Sequence, residues 1–172
     1  MIPRFGETRD PARRYRRRRG VYAVLIRGGK VLLTHQADPI PELQLPGGGV
    51  DAGEAALPAL HREVWEETGW SIAGLRRIGA YRRFAYLPDY DLWAEKLCEI
   101  YVARPVRRLG PVPEPAHTAL WLTGAEALRQ LSNTGDRHFL ARALKGGAGV
   151  TTPPRGPSAR GASGPPRGGR QA

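Results

Sequence analysis

Three carboxylates, Glu63, Glu66 and Glu67, fall within five residues of one another. At about 100° per residue, positions i, i+3 and i+4 share one face of a helix. Leu57, Leu60 and Val64 form an adjoining apolar stripe that can seat such a helix on a sheet. Like charges at these spacings repel, and the helix dipole disfavours anions near a C-terminus. A hard divalent cation, Mg²⁺ or Mn²⁺, relieves that repulsion and completes its shell with water and substrate phosphate. A solvated acidic face is the other reading, and the helix alone does not choose between them. Just upstream, Gly47, Gly48 and Gly49 permit a tight backbone path that brings main-chain groups close to a metal or a phosphate.

The elements that must position these residues can be read in order. Val21 to Arg27 and Lys30 to His35 are β-rich and flank Gly28-Gly29, which predicts a hairpin. Leu43 to Leu45 reads as a short strand ended by Pro46-Gly47-Gly48-Gly49. Pro58 is acceptable only in a first turn, so the acidic helix starts near Ala56 or Leu57 and runs to Thr68, with Gly69 as its C-terminal cap. Arg76 to Tyr86 and Leu92 to Ala103 read as strands around the loop Pro88 to Asp91. The Pro-rich segment Leu109 to Pro115 reads as a loop, Thr118 to Leu122 as a strand, and 125–131 and 136–144 as helices. Strands on both sides of an internal helix predict an α/β fold, a mixed sheet between helices.

The chain has 172 residues, enough for one domain with tails. Its longest clean apolar run, Val21 to Ile26, is far short of the roughly 20 residues of a membrane span. A single cysteine, Cys98, excludes an internal disulfide framework, and the chain reads as cytoplasmic. The net charge is +11, but residues 21–144 sum to zero. The excess lies in two ends, +6 in residues 1–20 and +5 in residues 145–172. Residues 146–172 hold eight Gly and five Pro and read as a disordered tail. The run Arg13, Arg14, Arg16, Arg17, Arg18 and Arg19 reads as a solvated basic arm, with a phosphate-contacting edge as the alternative. A neutral core argues against a long polyanion as partner; nucleic acid contact through the ends is the less favoured reading.

The segment from Gly48 to Trp70 resembles the signature of the Nudix hydrolases: Gly48, Glu54, Arg62-Glu63-Val64, Glu66-Glu67 and Gly69 stand at its fixed spacing. Trp70 departs from it, standing where the pattern has an aliphatic residue, which predicts altered packing with the chemistry kept. The resemblance spans residues 20–144 and implies an α/β/α sandwich with a mixed β-sheet. The domain is thus expected at 20–145, and the basic arm 1–19 and the disordered tail 146–172 lie outside the resemblance.

The resemblance further implies hydrolysis, with Mg²⁺ or Mn²⁺, of a nucleoside diphosphate linked to another moiety, and within it the neutral core favours a small nucleotide substrate over RNA. Glu63, Glu66 and Glu67 match metal-binding acids, and Gly47 matches a position whose carbonyl ligates the metal. Glu54 and Arg62 match a bracing pair, with Gly48 and Gly69 as structural glycines. The general base is Glu114, in the Pro-rich loop seven residues before Trp121, or else Glu63 or Glu66. His117 in the same loop reads as an exposed side chain. Substrate contacts are expected from Arg17, Arg19, His35 with Gln36, and Tyr86; Tyr90 and Trp93 read as strand aromatics or stacking platforms. The alternatives within the resemblance are an RNA 5′-end pyrophosphohydrolase and a non-catalytic nucleotide-binding module, which would be expected to lack one or more of the acids. The oligomeric state stays open, a homodimer included.

Overall fold

The computed structural model describes residues 1–147; the predicted tail lies outside the described residues beyond Gly147. Seven strands form one mixed sheet: β1 (Tyr15–Arg27), β2 (Lys30–Gln36), β3 (Glu42–Gln44), β4 (Gly47–Gly49), β5 (Trp70–Leu87), β6 (Leu92–Arg108) and β7 (His117–Thr123). The order is β3-β2-β1-β6-β5, with β4 on β1 and β7 on β2. Among the named strands of the described residues, β1 and β6 make the parallel pair. Helix α1 (Ala56–Thr68) covers one face, and α2 (Gly124–Gln130) with α3 (Thr134–Lys145) covers the other. None of the described helices is long and apolar enough to cross a membrane.

β1 explains why this chain makes a sandwich. Val21 to Ile26 is apolar without alternation, which a strand needs when both its faces are covered. Val21, Ala23 and Leu25 pack with Leu60 and Val64 of α1. Tyr22, Val24 and Ile26 pack with Leu33, Phe139 and Leu140 on the other side. Helix α1 is seated by Ala59, Leu60 and Val64, all fully buried; Leu57, expected in that stripe, is exposed.

Three expectations are corrected. β1 begins at Tyr15, so Arg16–Arg19 are strand residues paired with β6 while their side chains stay exposed. The arginine run hid a strand because neighbouring cations read as solvated chain. β5 starts six residues before Arg76, at Trp70, and β6 runs on to Arg108 past Pro105. Register shifts at Ser71/Ile72, Ala73/Arg76 and Arg77/Gly79 absorb the irregular residues that hid this pairing. The glycines Gly47–Gly49 form strand β4 on β1 rather than only ending β3.

Trp70 packs edge-to-face on Trp121, centroids 5.5 Å apart, and the Arg27 guanidinium lies 5.2 Å from its ring centre. The departure at Trp70 is thus taken up by an aromatic pair between β5 and β7. Helix α2 starts with a capping box, Thr123 with Glu126, and α3 with Asn133 accepting from the Asp136 amide.

Candidate active site

Helix α1 ends at Gly69 in the left-handed conformation (φ +74°), which a side chain rarely adopts. A Cβ there would lie 2.6 Å from the Gly110 carbonyl oxygen and 3.0 Å from that of Pro111. The Pro-rich loop therefore lies directly on the end of the helix. Leu109 donates to the Gly69 carbonyl (2.8 Å), and Glu114 donates its amide to the Glu66 carbonyl (3.1 Å). Gly69→Ala is expected to lower the melting temperature by several degrees and to cut activity through the displaced loop, measurable by thermal melts and kinetics.

That loop brings Glu114 to the helix acids. One ligand atom each from Glu67, Glu114 and His117 lies within 4.8 Å of the others. His117 Nδ1 is 3.4 Å from Glu67 and 2.9 Å from the Thr34 hydroxyl, and its Nε2 is 3.3 Å from Glu114. The expectation of an exposed His117 is corrected: its side chain is 8% exposed at the start of β7. The Glu114-x-x-His117 spacing was the available signal, and a loop reading discarded it. Burial lowers the His117 pKa, with the Glu114 charge opposing in part.

The three box acids do not stand alone on their face. Arg62 takes Glu54 through two nitrogens (3.0 and 2.8 Å), and its third reaches Glu63 (2.8 Å) and Glu66 (3.1 Å). The expected repulsion is thus answered in part by a cation on the same helix. The Arg62 hydrogen bonds hold the Glu54 pKa below its ordinary value, and Glu54 also accepts from the Asp51 amide. Glu63 is pushed up to about 7, chiefly by burial, against the pull of Arg62. Glu67 is buried and its pKa stands well above the ordinary range, by burial first; the Gly47 amide, donating to its carboxylate at 2.9 Å, offsets this only in part.

Gly47 and Gly48 connect the acids to a cavity. The Glu63 carboxylate packs directly where a Gly48 Cβ would stand, and the Gly47 Cα lies against the β1 backbone at Val21. Both glycines also line a cavity of about 580 Å³. Phe84, Tyr86, Tyr90 and Trp93 supply aromatic walls; Lys96, Arg83, Glu42 and Gln44 supply polar ones. The Lys96 ammonium lies 5.4 Å from the Tyr22 ring centre, and Arg83 pairs with Glu42 at 3.0 Å.

The predicted substrate contacts divide. Tyr86 and Gln36 line the cavity; His35, Arg17 and Arg19 do not. Successive strand residues point to opposite faces. Arg19 instead pairs with Glu99 at 2.8 Å, while Arg18 stacks 4.8 Å from the ring centre of Tyr90. Tyr86 donates to the Asp91 carboxylate.

Asp136, which the sequence offers only as a helix start, has a positioning role. It is buried, accepts from the Tyr81 hydroxyl (2.8 Å) and from the Leu45 amide (3.1 Å), and so holds the chain two residues before Gly47. Nothing in its local sequence signals a partner 91 residues away.

A family model for the NUDIX domain matches residues 16–143. A Mycobacterium tuberculosis protein named "Putative 8-oxo-dGTP diphosphatase 2" is 36% identical over 140 residues, 74% of this chain and 91% of that one. A Bacillus subtilis relative, also named as an 8-oxo-dGTP diphosphatase in the same provisional form, is 37% identical over 74 residues, 43% of this chain; the match spans half of that relative's length. Among solved structures, a NUDIX hydrolase from Nitrosomonas europaea shares the fold with a TM-score of 0.62 at 21% identity, over 76% of this chain and 90% of that one. The chain belongs to the NUDIX family, and its fold is the mixed sheet with flanking helices expected from the box.

Proposed function

We propose that this chain is a divalent-metal-dependent pyrophosphohydrolase of a small nucleotide, with an 8-oxo-purine nucleoside triphosphate as the preferred substrate. One observation carries the reading. Gly47 and Gly48 touch both parts: the Gly47 amide donates to Glu67, the Glu63 carboxylate packs on Gly48, and both glycines line a nucleotide-sized cavity. The names of the two relatives support the choice of substrate.

The donor set fits a hard cation. Glu67 is desolvated, and the nearby Glu63 and Glu114 raise its pKa further, the signature of carboxylates short of positive charge. Glu67, Glu63 and Glu66, with Glu114 and the Gly47 carbonyl, would hold Mg²⁺ or Mn²⁺. Such an ion, when bound, neutralises pyrophosphate charge and lowers the pKa of water.

The chain's own residues do the rest. Arg62 holds Glu63 and Glu66 in place, and the Gly47 amide orients Glu67. Water attacks one phosphorus of the pyrophosphate bridge, the bridging P–O bond breaks, and the phosphoryl group on the far side leaves with the bridging oxygen, giving a nucleoside monophosphate and pyrophosphate from a triphosphate. The Glu114 carboxylate takes the water proton, held by its backbone bond to Glu66 and by His117.

The test is a product screen with Mg²⁺ or Mn²⁺ over 8-oxo-dGTP, dGTP, dATP, ADP-ribose, diadenosine polyphosphates, NADH and 5′-triphosphorylated RNA. Cleavage of 8-oxo-dGTP with the highest kcat/KM is the expected result. Selective cleavage of the RNA would replace the substrate assignment, and no cleavage by folded protein would overturn the activity.

A further inference from the structure

The family match begins at residue 16, yet residues before it form part of the cavity. The Arg82 amide donates to the Pro3 carbonyl (2.9 Å), and the Phe5 amide donates to the Arg82 carbonyl (3.0 Å). This short parallel bridge lies on β5, at the end of the sheet order opposite β3. The Arg4 guanidinium stacks 5.0 Å from the Phe84 ring centre. Phe5 packs edge-to-face on Tyr81 (5.7 Å) and against His138 (5.0 Å), joining the core on the α3 side. Gly6, at φ +82°, then turns the chain, and Phe5, Gly6 and Glu7 line the cavity beside Phe84 and Asn133.

The segment is tied at its far end too. The Asp10 amide donates to the Tyr15 hydroxyl (3.2 Å), and Arg13 pairs with Asp10 (2.9 Å) while lying 3.7 Å from the Trp93 ring centre. Residues 1–13 are thus a strap fastened to β5 and β6, and not a free basic arm.

Its place in the sheet gives it a role. β4, which carries Gly47 and Gly48, pairs with β1; the strap pairs with β5, with β6 between β1 and β5. Adjacent strands are about 4.8 Å apart, so the strap and the glycines that carry the acids' contacts line opposite ends of the cavity. A nucleotide with its phosphates at the Gly47–Gly48 end, where Glu63 and Glu67 make contact, presents its base to the strap. We infer that the strap is the base-recognising wall: the Phe5 ring packs the base, and the Glu7 carboxylate accepts hydrogen bonds from a guanine-type N–H edge. This rests on the nucleotide pyrophosphohydrolase reading and adds to it the part of the chain that selects the base.

Phe5→Ala and Glu7→Gln, made in the full chain, test it against dGTP and dATP, with dGMP binding measured in parallel by calorimetry. Phe5→Ala is expected to raise KM about tenfold with kcat within about threefold, because base contacts act in ground state and transition state alike. Glu7→Gln is expected to lower the preference for dGTP over dATP about fivefold, through loss of one acceptor. dGMP affinity falls in step in both variants. Glu7 is exposed, so its variant keeps the test decisive even if Phe5→Ala proves poorly folded in thermal melts. A wild type that cleaves nucleotides, with unchanged KM and base preference in the folded variants, overturns the strap's role alone. A wild type that neither cleaves nor binds any nucleotide overturns the functional reading and the strap with it.

Discussion

Glu67→Gln is expected to lower kcat by about 10³-fold while the protein stays folded. The fold tolerates the change because Gln keeps the oxygen that accepts the Gly47 amide. The carboxylate charge gives the fold nothing, since burial already drives its pKa up. The chemistry does not tolerate it. Loss of this anion removes metal charge compensation worth several kcal/mol, and each 1.36 kcal/mol is a factor of ten. Glu66→Gln acts in the same direction. Steady-state kinetics with Mg²⁺, beside a thermal melt, make the comparison. A folded Glu67→Gln enzyme with wild-type turnover would remove Glu67 from the catalytic set.

Metal-free protein is expected to lose stability as pH rises from about 4.5 to about 7. The sign follows from Glu63, whose ordinary value of 4.5 rises to about 7 in the fold. Below pH 4.5 the carboxyl is protonated in both states and contributes no difference. Between the two values the folded state binds the extra proton, so stability falls with pH. Above 7 the loss is complete, on the order of 3 kcal/mol for a group whose side chain is 14% exposed. For a chain of this size that is roughly 6–12 °C in melting temperature. Glu67 adds in the same direction.

Mg²⁺ is expected to reverse the trend, because an ion that binds only the native state stabilises it, and does so best where the carboxylates are ionised. Melts with chelator, and then with excess Mg²⁺, across pH 4–8.5 measure both effects. Glu63→Gln should melt higher than wild type at pH 8 with chelator. The same pH slope in that variant would place the effect elsewhere.

The chemistry was legible in a short stretch because it is local. Glu63, Glu66, Glu67, Arg62 and Gly69 sit on one helix, where 3.6 residues per turn sets which side chains meet. The helix bounds, the apolar run of β1 and the α/β class follow from the same short-range periodicities. Everything that makes the acids into a site came from contacts distant in sequence. Arg62 was read as a brace for Glu54, but its hold on Glu63 and Glu66 depends on rotamers that spacing does not specify. Glu114 and His117 reach Glu67 only because β7 pairs with β2 and the Pro-rich loop folds onto Gly69. Asp136 reaches Leu45 across 91 residues.

The N-terminal arginines were misread for the same reason. Their charge spoke for solvent, while parallel pairing with β6, 78 residues away at Arg16 and Ala94, decided for a strand. The sequence by itself determined the family, the helix and the candidate acids, because each is written in residues within one or two turns of each other. Only the tertiary structure decided which groups surround those acids and which walls shape the cavity. Those depend on strand order and loop closure, whose energies are sums over many distant pairs and leave no local pattern.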